Sequence, residues 1–122
     1  MIMKIIWNKI IPFPGYVCMT VFYWIFAREE FKEQGLRPET INHESIHIDQ
    51  QEDFIIPIIG GIIFYLWYVL EWICKLPFAL VGYKPYRSIS FEQEAYEHED
   101  DLNYLKDRKK FNWLKYVFKL VK

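Results

Sequence analysis

The sequence predicts an α+β domain that is mainly helical, with a short N-terminal β-sheet, and three observations support this class. Segments 4–11 and 16–26 are rich in β-branched and aromatic residues and are separated by a Pro-Gly turn, which is typical of two paired strands. After Pro38, apolar residues recur at helical rather than strand spacing. The chain has 122 residues, of which 52% are hydrophobic, so residues 1–122 are expected to form a single domain with its own core.

Four helices are expected after the sheet. The first begins near Pro38, because proline suits the first helical turn, and it breaks or kinks at Pro57 and the Gly pair that follows. One stripe of this helix is expected to face the core, formed by Ile41, Ile48 and Ile55. After an apolar helix comes a glutamate-rich helix over about 91–108, which starts with a capping box at Ser90 and Gln93. The C-terminal piece is expected to be a basic amphipathic helix with one apolar face, formed by Phe111, Leu114, Phe118 and Val121.

Composition excludes some functions and indicates a cellular location. The net charge is −1 and no Gly-rich phosphate loop or RNA-binding aromatic pattern is present, so no nucleic-acid partner is expected. The two cysteines, Cys18 and Cys74, lie far apart in apolar surroundings and are expected to be buried thiols of a reducing compartment. The N-terminus lacks the pattern of a signal peptide, which favours a cytoplasmic protein.

The stretch TINHESIHIDQQEDF, residues 40–54, carries the chemistry. On a helix, His43 and His47 stand one turn apart on the same face, so two imidazole nitrogens can reach one Zn²⁺ at about 2.0–2.1 Å. Glu44 lies one step around the helix, where it can take a proton from an activated water without binding the metal. The plain alternative is a solvated helix face with two surface histidines. Because Gln50 and its neighbours continue the histidine stripe, the histidines are expected to face a polar cleft.

A hydrolytic zinc site needs a third protein ligand and one open position. Asp53 is excluded, because in a continuing helix it lies about 240° around the axis from the second histidine. Glu92 is preferred, since it shares a helix face with the small residue Ala95, which lets two helices approach closely. Glu94 remains the alternative, although it lies on another side and is expected to pair with His98. The other acidic residues of this run are expected to form a solvated face, namely Glu97, Glu99, Asp100 and Asp101.

These two motifs carry a family resemblance. HESIH followed by FEQEAY resembles the gluzincin metallopeptidases, in which H-E-x-x-H is completed by E-x-x-A/S-D on a later helix, and the chain's small size is similar to the minigluzincins. The resemblance implies a few strands, an active-site helix, a glutamate helix, one Zn²⁺ and a peptide or protein substrate. Carried over residue by residue, it implies His43, His47 and Glu92 as metal ligands and Glu44 as the general base.

The chain departs from the gluzincin pattern at Tyr96, which stands where the family has an aspartate that steadies a histidine ligand. Such supporting partners orient the ligands and tune metal affinity. Glu39, four residues before His43, or the Tyr96 hydroxyl are the expected substitutes. Among gluzincins a Tyr or His also steadies the tetrahedral intermediate, and the sequence leaves three candidates open for that role, namely Tyr83, Tyr86 and His98.

We therefore expect a zinc-dependent peptide hydrolase with Glu44 as general base. The strand in segment 16–26 is expected either to line the cleft and pair with an extended substrate or to be a plain core strand. The alternative functions are a catalytically latent or inactive metal-binding protein and a membrane-surface interaction protein. The basic tail, residues 106–122, and the high aromatic content are compatible with the membrane alternative.

The apolar segment between the two motifs is expected to form a helix over 61–80, packed behind the site. Its uncharged run, residues 54–70, has 17 residues, which is shorter than the roughly 18–20 of a membrane span. Glu71 and Lys75 are expected to pair at i and i+4 on an exposed side. A membrane-inserted or interfacial helix is the alternative. Some exposed aromatic surface is expected, which a homodimer or a membrane would cover, at Trp67, Tyr68 or Trp72.

Overall fold

The computed structural model describes residues 4–122, with only the backbone described at Pro57. Three strands come first: β1 (Lys4–Asn8), β2 (Cys18–Val21) and β3 (Trp24–Arg28). Four α-helices follow: α1 (Pro38–Glu52), α2 (Pro57–Lys75), α3 (Ser90–His98) and α4 (Tyr104–Asp107). Short 3₁₀ turns cover Glu29–Phe31, Leu76–Val81 and Asn112–Tyr116. The predicted α+β class, with a short N-terminal sheet and a mainly helical remainder, is confirmed.

The sheet differs from the predicted pair of strands. Segment 16–26 folds back on itself into two strands, because the chain turns at Phe22, which has a positive φ of 54°. The sheet order is β1-β3-β2, with β1 parallel and β2 antiparallel to β3. The Tyr65 hydroxyl of α2 holds the turn: it accepts a hydrogen bond from the Phe22 N–H at 3.0 Å and donates one to the Thr20 carbonyl at 2.7 Å. A side chain from a distant helix therefore fixes the hairpin.

Helix α1 begins at Pro38, as predicted, and ends at Glu52. The predicted apolar stripe holds only in part, since Ile48 is fully buried whereas Ile55 lies beyond the helix and is 76% exposed. The glycine pair lies inside α2 rather than interrupting it. A Cβ on Gly61 would stand 2.6 Å from the ring of Phe22, so the glycine permits a close approach of α2 to the hairpin turn.

Helix α2 and the 3₁₀ turn that follows it together span the range of the predicted apolar helix, 61–80. This helix is not buried within the domain. One stripe packs inward, and the opposite side is exposed along its whole length. Glu71 and Lys75 pair as predicted, with Nζ 2.7 Å from Oε2, yet both are buried rather than exposed. Cys74, predicted to be a buried thiol, is exposed. Among the described residues, one helical segment, 58–81, is long and apolar enough to cross a membrane by length and composition alone.

The start of α3 is held by α2 rather than by a capping box. The Ser90 hydroxyl donates to Glu71 Oε1 at 2.6 Å, and the Ser90 N–H donates to Glu71 Oε2 at 2.5 Å. Gln93 Nε2 donates to the Ser88 carbonyl at 2.8 Å instead of reaching back to Ser90. The Glu71 carboxylate of α2 thus satisfies a free N–H in the first turn of α3. Its negative charge also interacts favourably with the positive end of the α3 dipole.

The C-terminal third also departs from prediction. Helix α3 ends at His98 instead of continuing to Arg108, and the last segment forms a 3₁₀ turn instead of an amphipathic α-helix. Trp113 and Tyr116 are buried, whereas Phe118 from the predicted apolar face is 98% exposed. The main core cluster joins α2, α3 and this turn, and consists of Phe64, Ile89, Phe91 and Trp113.

A buried ion network around Arg108 explains this path. The side chain is 1% exposed, its Nε lies 2.6 Å from Glu94 Oε2, and its Nη2 lies 2.7 Å from Asp53 Oδ2. A third carboxylate, Asp49, stands 2.9 Å from Nη1. Glu94 therefore pairs with Arg108, not with His98 as expected. Because the network joins the C-terminal end of α1 to the middle of α3, it sets how the two helices that carry the candidate ligands lie against each other.

Candidate metal centre

Helices α1 and α3 bring His43, His47 and Glu92 together. One ligand atom from each residue lies within 4.8 Å of the other two. His43 Nε2 is 3.0 Å from Glu92 Oε1, and His47 Nε2 is 3.2 Å from Glu92 Oε2. All three side chains are buried. The two histidines come from successive turns of one helix, and the glutamate reaches them from the first turn of the other.

The donor set fits a zinc ion. In a tetrahedral site with bonds of about 2.0–2.1 Å, neighbouring ligand atoms are about 3.3–3.4 Å apart, close to the observed nitrogen–oxygen distances. His47 Nε2 is buried and, although it is near Glu92, the two atoms are not aligned for a hydrogen bond. A buried nitrogen without a partner is costly unless something else satisfies it. Two imidazoles and one carboxylate are also the ligand types that catalytic zinc sites use, with a fourth position left open.

Both histidines are oriented by acceptors on their other ring nitrogen. His43 Nδ1 lies 2.8 Å from Glu99 Oε1, and His47 Nδ1 lies 2.8 Å from Gln50 Oε1. The Gln50 amide orientation follows from its Nε2, which donates to the Phe91 carbonyl at 3.0 Å. Because both partners accept, each Nδ1 carries a proton, so in the neutral imidazoles that a metal requires each Nε2 lone pair would point toward the shared position. This arrangement raises ligand basicity and fixes the ring planes.

The partner of His43 Nδ1 is thus Glu99, rather than Glu39 or the Tyr96 hydroxyl, the two predicted candidates. Tyr96 contacts His43 with its ring instead, at 4.5 Å between centroids and 70° between planes. Glu99, predicted to be solvated, was missed although one signal was present. It follows Glu92 by seven residues, which is two helical turns, so it lies near the same face.

Glu44 lies at the same centre and is held by the sheet. Thr20 of β2 donates its hydroxyl to Glu44 Oε2 at 2.6 Å, and the thiol of Cys18 stands 3.8 Å from Oε1. Glu44 is buried, and this burial raises the pKa of its carboxyl above the ordinary value of 4.5, against the opposing effect of the two histidines. A raised pKa suits a group that must both accept and return a proton.

His47 and Glu92 influence each other's charge. Burial alone would lower the pKa of His47, but the nearby Glu92 carboxylate outweighs it and raises that pKa to about 9. Burial alone would raise the pKa of Glu92, but the charge on His47 outweighs it and holds that pKa well below its usual range. At neutral pH without metal, the two form an ion pair. Metal binding therefore has to displace a proton.

Of the three candidates for stabilising an intermediate, the structure places one at the site. Tyr86 lines the pocket beside Glu44 and Glu92, and burial raises the pKa of its hydroxyl well above the usual range. Tyr83 instead packs against Phe78, with ring centroids 6.3 Å apart. His98 stacks on Tyr104 at 3.8 Å. Neither distance along the sequence from the first motif nor position on a helix face could show which of these three residues reaches the site.

Tyr68 is a site residue that the sequence did not indicate. It was expected on the exposed aromatic surface of the apolar helix, but its hydroxyl donates to Glu92 Oε2 at 2.6 Å. The two residues are 24 positions apart, and only the packing of α2 against α3 brings them together. The hydroxyl fixes the Glu92 carboxylate, as a supporting partner of a ligand does.

A pocket of about 390 Å³ opens at the centre. Its polar end is formed by Glu44, His47 and Glu92, and its other walls are mostly apolar. Strand β2 lines one side and is an edge strand of the sheet, since the order is β1-β3-β2. The part of segment 16–26 that forms β2 therefore lies along the cleft, while its pairing with an extended substrate stays a prediction.

The gluzincin resemblance still rests on the two sequence motifs alone. HESIH and FEQEAY supply the three converging side chains, and Glu99 lies 2.8 Å from His43 Nδ1. Convergence of this kind indicates a metal site and does not by itself identify a family. A scan against protein-family models, a search of curated proteins and a search of solved structures each found no match to this chain.

Proposed function

We propose that this protein is a zinc-dependent peptide hydrolase. The convergence of His43, His47 and Glu92 on one buried position carries the proposal. Glu44 at the same pocket adds the general base that hydrolysis requires. A purely structural zinc site uses four protein ligands rich in cysteine, and the thiol near this centre, Cys18, contacts Glu44 rather than the three candidate ligands.

The chain's own residues divide the work of hydrolysis. When bound, zinc would act as a Lewis acid that lowers the pKa of water and polarises the scissile carbonyl. Glu44 accepts the proton from the attacking water and returns it to the leaving amine. Thr20 holds the Glu44 carboxylate in place through the 2.6 Å hydrogen bond. The Tyr86 hydroxyl donates to the carbonyl oxygen as negative charge develops there.

The pocket favours an extended peptide with an apolar side chain. Apart from the Thr20 carbonyl, which the Tyr65 hydroxyl holds, the edge of β2 offers backbone groups to a substrate strand, which would pair in the manner of an added strand. Met19 and Tyr65 line the adjacent wall, so an apolar side chain of that peptide would fill the pocket. Backbone pairing holds the scissile bond beside Glu44, and the pocket selects the residue next to it.

The first experiment separates metal binding from catalysis. Zinc content and cleavage of an unstructured peptide library are measured for the wild type, Glu44→Gln and His47→Ala. Glu44→Gln should keep about one zinc per chain and lose at least about 10²-fold in cleavage rate, because an amide cannot accept the water proton. His47→Ala should lose both. Equal cleavage by wild type and Glu44→Gln would refute the base assignment.

Two further outcomes favour the alternatives. If the wild type binds zinc but cleaves no peptide, the latent or inactive metal-binding protein replaces the hydrolase. If no transition metal binds after reconstitution from neutral pH up to a pH above about 9, where His47 has lost its extra proton, the zinc proposal fails.

A further inference from the structure

Helix α2 divides sharply into an inward and an outward side. The inward residues recur every three or four positions, and they are Gly60, Gly61, Phe64, Tyr65, Tyr68, Glu71 and Lys75. This spacing marks one stripe of a helix packed on a domain. The outward side carries large apolar residues over the whole of segment 58–81, with exposed fractions of 67% at Leu66, 59% at Leu70 and 91% at Leu80. Only 28% of the most apolar window is buried.

The two charges of this segment point away from the exposed side. Lys75 Nζ contacts Glu71 Oε2 and the carbonyls of Ser88 and Lys119, and Glu71 also caps Ser90. A helix exposed to water normally shows its charges on the outer face. Here both charges are buried and the outer face has none, which is the arrangement that a lipid environment requires.

We propose that the outer face of α2 and its following turn, residues 58–81, lies in the surface of a lipid bilayer. A protein partner would meet this face with hydrogen bonds, about one per 100–200 Å² of interface. The face offers almost no polar side chains, and the Trp67 indole N–H is already donated to Glu71 at 3.0 Å. Hydrocarbon requires no hydrogen bonds, so a bilayer matches this surface better than a second copy of the chain does.

The helix lies in the plane of the membrane rather than across it. Segment 58–81 has 24 residues and is about 36 Å long at 1.5 Å per residue, enough to span. Yet its inward stripe packs on α1 and α3, which carry the buried ion network of Arg108 and its three carboxylates. A spanning orientation would draw those polar helices to bilayer depth, where charges are costly. An in-plane orientation immerses the apolar side alone.

Two neighbouring features extend this docking surface. Beside the pocket, the loop before β2 exposes Phe13 by 79% and Tyr16 by 53%. At the C-terminal end of segment 58–81, two exposed lysines lie close together. The Lys84 N–H donates to the Val121 carbonyl at 2.7 Å, which places Lys122 next to Lys84. Lysines at this position would meet anionic headgroups. The metal centre then opens close to the bilayer surface, although docking does not depend on catalysis.

Flotation with vesicles tests the docking. Wild-type protein is mixed with vesicles of phosphatidylcholine and phosphatidylglycerol in a ratio of about 3:1. It should float with them and stay bound in about 1 M salt, because apolar burial is not screened. Leu66→Glu/Leu70→Glu should partition at least about tenfold less, since each charge must enter lipid. Leu102→Glu is the matched control, because Leu102 is 57% exposed and lies in the loop after α3; it should float like the wild type.

Several results would overturn the inference. Circular dichroism and the urea unfolding midpoint first establish that each variant is folded. Wild type that stays in solution, or that is released by salt, would remove apolar docking. A stable detergent-free dimer in light scattering, converted to monomer by Leu66→Glu/Leu70→Glu, would show that a second copy covers the face.

Depth measurements test the in-plane orientation. Single cysteines at Ile58, Val69 and Leu80, in a Cys18→Ser/Cys74→Ser background, carry a fluorophore that nitroxide lipids quench according to depth. These three positions are exposed by 70%, 49% and 91%. An in-plane helix places all three at similar depth. A label at position 69 much deeper than the labels at both ends would mean a span, and would refute this orientation.

Discussion

The hydrogen bond between Glu99 and His43 offers the sharpest test of the candidate metal centre. The Glu99 carboxylate accepts from His43 Nδ1 at 2.8 Å and so fixes the ring whose Nε2 faces the candidate metal position. Glu99→Ala removes both the acceptor and its charge. Glu99→Gln keeps an acceptor oxygen and removes only the charge.

The expected size of the effect follows from the geometry. Loss of a ligand's supporting partner usually weakens metal binding about 10- to 100-fold. The Glu99 side chain retains 21% exposure, so solvent screens part of its charge, and the lower part of that range applies. We expect Glu99→Ala to weaken zinc binding about 10- to 30-fold. This equals about 1.4–2.0 kcal/mol. Glu99→Gln should fall between Glu99→Ala and the wild type.

Competition with a chromophoric zinc chelator at neutral pH measures these affinities. Asp100→Asn is the matched control, because it removes the same charge from the next residue in the chain, which is exposed. If Glu99→Ala binds zinc as tightly as Asp100→Asn does, the contact has no part in metal binding. The assignment of Glu99 as the residue that orients His43 would then be withdrawn.

Three further predictions concern the fold that positions the site. Arg108→Ala should lower the free energy of unfolding by about 3–5 kcal/mol in urea titrations, because it leaves three carboxylates without their cation, while the exposed Lys110→Ala should change it by less than about 0.5 kcal/mol. Burial alone would raise the pKa of the Glu94 carboxyl, but Arg108 outweighs burial and lowers that pKa below 4.5. The ion pair therefore stabilises the fold fully above pH 4.5, and this stabilisation is lost as the pH falls through the lowered pKa. Glu94→Gln should flatten this dependence of the free energy of unfolding on acid pH. Gly61→Ala should cost about 1–3 kcal/mol, read from the urea midpoint, since its Cβ would meet the Phe22 ring at 2.6 Å.

Features that depend on neighbouring residues could be predicted from the sequence. The start of α1 at Pro38 follows from the fixed φ of proline, and the common face of His43 and His47 follows from helical spacing. The choice of Glu92 over Glu94 used the same periodicity, and the structure brings Glu92 to the histidines. Each of these depends on a geometry that one helix imposes on itself.

Features that depend on contacts between distant segments could not be predicted in this way. Segment 16–26 was expected to be one strand, but the Tyr65 hydroxyl holds a turn at Phe22. The pairing of Glu71 and Lys75 was predicted from spacing, whereas its burial depends on which side of α2 meets α3. Charged residues on a helix are usually exposed to solvent. A prediction from the sequence pattern therefore places them on the exposed side, which is wrong wherever a buried partner exists.

The sequence by itself determined the helix that carries the histidines, the α+β class and the identity of the glutamate that joins them. Only the tertiary structure decided that α3 ends at His98, that Glu99 turns back to His43, and that Tyr68 holds Glu92. The physical reason is range. Periodicity along one helix sets which residues share a face. A buried charge such as Arg108 can redirect the chain, because its lost hydration is offset only when all of its carboxylate partners are in place.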